Sequence, residues 1–297
     1  MDEGLIHDVS DTAFMVAAFR AMETQRPDAL FRDPLAGKLA GTHGRKIVEK
    51  LSRRALCGQW FVVLRTCIID DFIESAVAAE IDTVLNLGAG LDTRPYRMDL
   101  PRELRWIEVD YPKIIELKES RLREDMPRCR LERVELDLAQ AAKRRLLLSR
   151  IAAQSERTLV LTEGVVPYLR TQEAALLADD LRAQRPFRYW IVDYFSPATL
   201  RFGMRFWLRT HLQNAPFRFD PDDYFAFFRR HGWTPKEIRY PSDEAKKRNR
   251  PLEAPLKLIA LMRLFISKSR RDALNRSAAY VLFEPADPPA PSTGDSV

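Results

Sequence analysis

The stretch TVLNLGAGLDTRPYR, residues 83–97, decides the fold. A short apolar run is followed by two glycines around one alanine, and then by an acid, a threonine and two arginines. Glycine adopts the tight turn that follows a strand, and it lets a ligand approach the backbone closely. In an open α/β sheet, ligands bind beyond the carboxyl ends of the strands. The stretch therefore predicts a strand, a turn and a ligand site.

Short β-branched runs alternate with helical stretches through the rest of the chain. The runs are TVLNLG (83–88), RWIEVD (105–110), RLERVEL (130–136), TLVLTEG (158–164), YWIVDYF (189–195) and AAYVLFE (278–284). Between them, residues 113–125, 139–154 and 171–184 place apolar residues on one helical face. This alternation predicts a parallel sheet that is covered by helices on both faces.

The chain divides into three parts. Residues 1–80 have helical periodicity and predict a helical N-terminal cap that contributes to the site. Residues 81–284 predict the α/β domain, with a helical lid insertion near 197–231. Residues 285–297 contain four of the nineteen prolines and nothing apolar to bury, so we expect a disordered tail.

Charge and hydropathy restrict the possible partners. The chain has 48 lysines and arginines against 42 aspartates and glutamates, a net charge of +6. No basic stretch is interleaved with aromatic residues, which argues against nucleic-acid binding. Residues 254–271 are the most apolar segment, but Lys257 and Arg263 interrupt them. We expect a core or lid helix there, with an amphipathic surface helix as the alternative, and no stable membrane insertion.

The cysteines and the N-terminus indicate a cytoplasmic protein. Cys57, Cys67 and Cys129 are odd in number and have no spacing typical of zinc or disulfides, which favours free thiols. Residues 1–14 lack a basic segment followed by an apolar run, so the sequence predicts no signal peptide.

The second strand ends in an acid that suits a nucleoside. Asp110 lies twenty positions after Gly90, where a carboxylate can accept hydrogen bonds from two ribose hydroxyls. Dinucleotide enzymes use the same device. Their glycine fingerprint, started at Gly88, requires glycine or alanine at position 93, which is Thr93 here. A ligand with an adenosine but no phosphates fits better, and S-adenosyl-L-methionine is the obvious one.

Five motifs carry a resemblance to a known family. RTCIIDDFI, VLNLGAGLDTRPYR, WIEVDYP, ELDL and LTEGVVPYL, in that order, resemble the leucine carboxyl methyltransferase-like family of class I S-adenosylmethionine-dependent methyltransferases. Residues 18–41 are similar to its bacterial O-methyltransferases, which include polyketide-modifying enzymes. The resemblance implies a Rossmann-like fold, a seven-stranded mostly parallel sheet with helices on both faces and a helical N-terminal extension. It also implies methyl transfer to a carboxylate or hydroxyl of a small molecule, such as a polyketide-like compound.

The resemblance also implies cofactor-binding residues. Gly88 and Gly90 would let the methionine part of S-adenosylmethionine lie along the backbone, and Asp110 would hold the ribose. Asp137 would accept a hydrogen bond from the adenine amine while Leu138 covers the ring. On sequence alone, Asp137 is nearly as well explained as the N-cap of the following helix.

Charged and aromatic side chains complete the implied site. Arg20 and Arg65 match family positions that reach the carboxylate of the cofactor, which suits a planar guanidinium. Glu163 would lie beside the methionine portion and accept a hydrogen bond from its ammonium. Arg94 and Tyr168 match positions on the substrate side. A solvated helix face is the ordinary alternative for either of the first two arginines.

The insertion after the fifth strand is rich in aromatic residues and arginine. Phe202, Phe206, Trp207 and Arg209 could form a lid over the acceptor, or they could belong to helices that pack on the sheet. We assign the acceptor site to this region, with Phe206 and Trp207 as its substrate residues.

Other functions were weighed against methyl transfer. A short-chain-type oxidoreductase is ruled out because no tyrosine near the fourth or fifth strand is followed four places on by lysine. A protein C-terminal carboxyl methyltransferase and a non-catalytic S-adenosylmethionine-binding regulatory protein stay open. None of the four histidines lies in a catalytic motif, and we expect no metal site.

Overall fold

The computed structural model describes residues 9–51, 57–196, 217–250 and 267–286. Within these ranges the chain forms ten α-helices and seven strands. The helices are α1 (Val9–Thr24), α2 (Ala36–Lys50), α3 (Cys57–Ala78), α4 (Arg94–Arg97), α5 (Pro112–Arg121), α6 (Ala141–Ala152), α7 (Thr171–Arg182), α8 (Tyr224–Arg230), α9 (Pro241–Lys247) and α10 (Lys268–Asn275). The strands are β1 (Thr83–Leu87), β2 (Arg105–Asp110), β3 (Arg130–Glu135), β4 (Thr158–Thr162), β5 (Phe187–Phe195), β6 (Trp233–Arg239) and β7 (Ala278–Pro285).

The strands form one mixed sheet in the order β3-β2-β1-β4-β5-β7-β6. Strands β1 to β5 pair in parallel, whereas β7 lies antiparallel between β5 and β6. The predicted seven-stranded, mostly parallel, Rossmann-like sheet is confirmed, and each of the six runs coincides with a strand. The strand that the sequence pattern missed is β6, which contains Pro235 and a register shift and therefore lacks a clean alternation.

Alternation along the central strands builds a core on each face of the sheet. In β1, Leu85 and Leu87 pack into the cluster that includes α6, α7 and α8. Val84 points to the other face and packs with α3. Because both faces are covered, β1 and β4 are buried at every position. This is why their sequences read as continuous apolar runs.

The chain reverses direction across the sheet beside β1. Strand β2 lies on one side of β1 and β4 lies on the other, so the crevice between β1 and β4 is the topological switch point. The carboxyl ends of these strands carry Gly88, Asp110 and Glu163. Asp193 occupies the corresponding end of β5, next to β4. The fold thus brings residues from four distant segments to one edge.

The N-terminal region, predicted to be helical, contains α1, α2 and α3. Helix α3 packs on the sheet, while α1 and α2 pack on each other. Ala13 of α1 lies against the glycine turn, since a Cβ added at Gly90 would be 3.4 Å from the Cβ of Ala13. The N-terminal helices therefore cover the turn that follows β1.

Parts of three further predictions lie outside the described residues. They are the lid segment 197–216 with Phe202, Phe206, Trp207 and Arg209, the apolar segment up to residue 266, and the tail from residue 287. The end of the predicted lid region, Tyr224–Arg230, is helical, and β7 continues to Pro285. Among the helices that the structure describes, none combines the length and the hydropathy needed to cross a bilayer.

Candidate functional site

The turn after β1 is tied to the acid at the end of β2. Gly88 and Gly90 both have positive φ, +71° and +49°. The backbone amide of Gly90 donates to Oδ2 of Asp110 at 2.6 Å, and the amide of Tyr111 donates to Oδ1 at 2.7 Å. Each carboxylate oxygen therefore accepts one backbone hydrogen bond and keeps capacity for a second. Burial raises the pKa of Asp110, although the two amides and nearby Lys118 oppose that rise.

The turns after β1 and β4 close on each other. A Cβ placed on Gly88 would lie 2.4 Å from Cγ2 of Val165, two residues after Glu163. Real Cβ atoms do not approach a neighbour so closely, and this contact together with the positive φ explains the glycine. The space left by the missing side chain at Gly88 is therefore filled by Val165, where the sequence predicted room for a ligand.

Glu163, at the end of β4, forms ion pairs with two arginines. Nε of Arg65 lies 2.7 Å from Oε1, and Nη1 of Arg94 lies 2.8 Å from Oε2. Burial disfavours the charged carboxylate, but the two guanidiniums outweigh it and lower the pKa of Glu163. The structure thus brings Glu163 and Arg65 together, as the implied site requires.

Arg94 lies beneath this pair rather than at the surface of the crevice. It is 2% exposed, and it also binds Asp70 (Nε to Oδ1, 2.7 Å) and Asp92 (Nη1 to Oδ2, 2.9 Å). Arg97 adds a bidentate pair with Asp70 at 2.7 and 2.8 Å. We call Asp70, Asp92, Arg94, Arg97, Arg65 and Glu163 the ion-pair cluster. All the contacts of Arg94 are internal, so it supports the site rather than facing a substrate as predicted.

Arg20 reaches the glycine turn from α1. Its Nε donates to Asp33 at 2.8 Å, and its Nη2 donates to the carbonyl of Leu91 at 2.5 Å. Thr93 donates to the same carboxylate oxygen of Asp33 at 2.6 Å. Arg20 therefore fixes the N-terminal helix against the end of the turn. It lies at the predicted edge but is anchored by these contacts.

The end of β3 carries the residues predicted to bind adenine. Oδ1 of Asp137 accepts a hydrogen bond from the amide of Ala139 at 2.9 Å. Helix α6 begins at Ala141 with Gln140 as its N-cap, so the alternative assignment of Asp137 as an N-cap is wrong. Leu138 is half-buried beside the core. Tyr111, which the sequence analysis missed, is 51% exposed and hydrogen-bonds to the Asp137 carboxylate.

Tyr168 ends the short 3₁₀ helix after Glu163. Burial raises the pKa of its phenol to about 12, and the hydroxyl bonds to Thr12 of α1. Its ring packs edge-on against Phe217, with 4.9 Å between the ring centroids. Tyr168 therefore connects the N-terminal helices to the edge of the sheet, on the side of β4 away from Asp110. The other predicted substrate residues, Phe206 and Trp207, lie outside the described residues.

Sequence reasoning missed several charged residues of this edge. Asp193 follows the apolar run WIV in β5 much as Glu163 follows LVLT in and after β4. That signal was available, because an acid at the end of a buried strand points to a site or to a partner. Asp70 and Asp92 gave no comparable signal, since their partners come from elsewhere in the chain.

The family is established by a match over more than half of the chain. Residues 13–182 match the family model for leucine carboxyl methyltransferase. The chain belongs to this family. The resemblance read from the five motifs is therefore confirmed.

Actinobacterial relatives in this family have similar names. A Frankia alni protein is 30% identical over 82% of this chain and 90% of its own length. Proteins of Streptomyces avermitilis and Streptomyces coelicolor are 34% and 41% identical, over 58% and 41% of this chain. All three carry the name "putative S-adenosyl-L-methionine-dependent methyltransferase". The matches cover 64% and 46% of the two Streptomyces relatives.

Solved structures share the fold. A crystal structure of a family protein from Streptomyces avermitilis aligns over 92% of this chain and 97% of its own, with a TM-score of 0.57 and 15% identity. A structure from Thermobifida fusca, titled a putative methyltransferase, aligns over 93% and 94% with a TM-score of 0.55 and 12% identity. At such low identity these likenesses carry the fold alone.

Proposed function

We propose that this protein is an S-adenosylmethionine-dependent O-methyltransferase that methylates a carboxylate or hydroxyl of a small molecule. The observation that carries the proposal is the position of Asp110. It lies beside the topological switch point and is held by the amide of Gly90, with one acceptor site left on each oxygen. Two adjacent hydroxyls of a ribose match that pair of acceptors. The family membership and the names of the relatives support the same cofactor.

The region after the glycine turn suits a ligand without phosphates. Helix α4 has four residues, and the amide of its first residue, Arg94, donates to Oδ1 of Asp92 at 3.0 Å. A pyrophosphate needs free amides at a helix N-terminus. Here a buried carboxylate already occupies that position and would repel a second anion. This argues for a sulfonium nucleoside over a dinucleotide.

The ion pair at the end of β4 complements a zwitterion. Arg65 and Glu163 lie at the mouth of the switch point with side chains 17% and 15% exposed. An amino acid moiety has a carboxylate for the guanidinium and an ammonium for the carboxylate. These two residues would hold the methionine end. Asp110 would hold the ribose, and Asp137, Leu138 and the exposed Tyr111 would line the adenine.

S-adenosylmethionine, when bound, supplies an activated methyl group on a sulfonium. The protein's own contribution is to align the acceptor oxygen, the methyl carbon and the sulfur, and such alignment is worth several kcal/mol. The closed turns after β1 and β4 fix the methionine end relative to Asp110. A carboxylate acceptor would need no general base at neutral pH, whereas a hydroxyl would need one.

We also propose a cytoplasmic protein whose acceptor is neither a nucleic acid nor a membrane lipid. Cys67 and Cys129 are buried free thiols, and burial raises the pKa of both, Cys129 to about 11. Such thiols are unreactive and compatible with a reducing compartment. The net charge and the lack of a membrane-spanning helix among the described residues are consistent with a small dissolved acceptor.

Calorimetry with the Asp110→Ala variant tests the cofactor assignment. Wild type should bind S-adenosylmethionine and fail to bind NADH. Asp110→Ala should lose about 2 kcal/mol of binding free energy, because a charge-assisted pair of hydrogen bonds is removed. That loss corresponds to roughly a thirtyfold rise in Kd. Asp99→Ala, at an exposed position, is the matched control and should bind like wild type.

Other results would contradict the cofactor or separate the alternatives. Tight binding of NADH, or unchanged affinity in Asp110→Ala, contradicts the cofactor assignment. A radiolabelled methyl group from S-adenosylmethionine should appear in small molecules of an extract. Label in protein C-termini would favour the protein methyltransferase, and binding without any transfer would favour the regulatory protein.

A further inference from the structure

A second buried carboxylate lies one strand away from Glu163. Asp193 is near the carboxyl end of β5, one residue past the position that pairs with Thr162 of β4. It is 3% exposed, and its Oδ2 accepts a hydrogen bond from the amide of Gly164 at 2.6 Å. The glycine that follows Glu163 therefore links the two acids. Both lie at the edge where the cofactor is proposed to bind.

Asp193 lacks the ion pairs that Glu163 has. In the described part of the chain, no arginine, lysine or histidine lies within ion-pair distance of Asp193, and the Nε of nearby Arg65 pairs with Glu163. Burial is the largest influence, and it raises the pKa of Asp193 to about 6. The titratable groups that face it come from five elements or loops: Arg65 (α3), Glu163 (after β4), Tyr168 (3₁₀ helix), Tyr224 (α8), Tyr280 (β7) and Asp220 (before α8).

A cavity with aromatic walls opens beside this carboxylate. Asp193 lines it together with Phe195, Phe219, Tyr224 and Pro167. The hydroxyl of Tyr224 donates to the backbone carbonyl of Asp193 at 2.9 Å, which holds α8 against the end of β5. Flat apolar walls around one acid suit a planar, uncharged ligand that carries a proton donor.

We propose that Asp193 is the general base for a phenolic or enolic hydroxyl on a flat acceptor bound in this cavity. The inference rests on the proposed methyl transfer and narrows its substrate class. The hydroxyl proton passes to a carboxylate oxygen of Asp193 as the acceptor oxygen bonds to the methyl carbon. The carbon–sulfur bond breaks, and its electron pair stays on sulfur. The products are the methyl ether, S-adenosylhomocysteine and one proton, which leaves Asp193 for solvent.

Electrostatics disfavours a carboxylate acceptor in the same cavity. An aromatic acid would enter with a negative charge close to Asp193 and Asp220, with Glu163 nearby. The one cation that faces Asp193, Arg65, is already shared with Glu163. A neutral hydroxyl meets none of this repulsion and needs the base that the cavity provides. The paired and unpaired acids at adjacent strand ends thus have separate roles, one for binding and one for proton transfer.

Matched acceptor pairs test the substrate class. The probes are phenol with benzoate, naphthol with naphthoate, and hydroxyindole with indole carboxylate, each supplied with radiolabelled S-adenosylmethionine. We expect methyl transfer to the hydroxyl member of at least one pair and none to its carboxylate partner. Transfer to the carboxylates in preference, or to no hydroxyl although the cofactor binds, overturns the inference.

The Asp193→Asn variant tests the residue. Asparagine keeps the shape and the acceptor for Gly164, so the variant should bind S-adenosylmethionine within about twofold of wild type. Its kcat with the accepted hydroxyl should fall at least about a hundredfold. Wild-type kcat/KM should rise as pH increases through about 6, and the variant should lack that rise. Asp243→Asn, the same change at an exposed position, is the control and should keep both rate and profile.

The two experiments separate the failure of each proposal. A variant that binds the cofactor and keeps the wild-type rate and pH profile overturns the role of Asp193 and leaves the methyltransferase standing. Wild type that binds no S-adenosylmethionine overturns both. Thermal unfolding with and without the cofactor shows that the variant is folded.

Discussion

The ends of β4 and β5 carry carboxylates in opposite electrostatic states. Glu163 has two guanidiniums within ion-pair distance, and its pKa is lowered. Asp193, on the adjacent strand and equally enclosed, has one hydrogen bond from Gly164, and its pKa is raised to about 6. Burial acts on both in the same direction. The difference teaches that the number of cations brought by other segments, rather than position in the strand, decides the charge of a buried acid.

Arg94→Met should break the paired side of this comparison most severely. The change leaves Asp70, Asp92 and Glu163 buried with less compensation, and removal of one partner from a buried ion pair costs about 3–5 kcal/mol. Urea unfolding measures the loss in free energy of unfolding. Arg102→Met, at an exposed position, should change it by less than about 0.5 kcal/mol. Equal stabilities of the two variants would show that the ion-pair cluster contributes little.

The pH dependence of stability should have opposite signs at the two acids. A carboxyl whose pKa is raised on folding contributes stability that is fully present below its unfolded pKa, near 3.8 for Asp193. That contribution disappears as pH rises through about 6, a change of about 3 kcal/mol for Asp193. Glu163 has a lowered pKa, so its contribution is present above 4.5 and is lost as pH falls through the folded pKa.

Urea unfolding between pH 3 and pH 7 measures both effects. Relative to wild type, Asp193→Asn should gain in free energy of unfolding as pH rises from 4 to 7. Glu163→Gln should show its largest deficit at neutral pH and a smaller one in acid. Parallel pH curves for wild type and both variants would remove the contrast between the two acids.

Substitution of the glycine turn should sharpen the comparison with a smaller effect. In Gly88→Ala the Cβ meets Val165 at 2.4 Å in addition to the unfavourable positive φ, so we expect a loss of about 2 kcal/mol. In Gly90→Ala the nearest atom is 3.4 Å away, and the backbone cost of about 1 kcal/mol should be the main effect. Urea unfolding measures both losses.

A second substitution at Val165 distinguishes the steric and backbone contributions. Val165→Ala combined with Gly88→Ala should recover the steric part and leave a loss similar to that of Gly90→Ala. Because Val165 lies two residues after Glu163, Gly88→Ala should also weaken the pairing of Glu163 without affecting Asp193. No recovery in the double variant would place the cost of Gly88→Ala in the backbone alone.

Much of the fold and part of the site could be predicted from local patterns. Strand runs with helical segments between them indicated the parallel sheet, and two glycines followed by Asp110 marked its ligand edge. Strand β6 was missed because Pro235 and a register shift disturb its alternation. Arg94 was placed on the substrate side because its motif contains no information about Asp70, which lies in α3.

The sequence by itself determined the elements, their order and the chemical types at the strand ends, because periodicity and turn residues act over a few neighbouring positions. Only the tertiary structure decided which acids are paired. Arg65 reaches Glu163 from α3, Val165 fills the space at Gly88, and Asp193 faces a cavity with Tyr224 at its wall. These contacts join segments far apart in the chain. Electrostatic energies depend on distance and burial in space, and no local pattern encodes either.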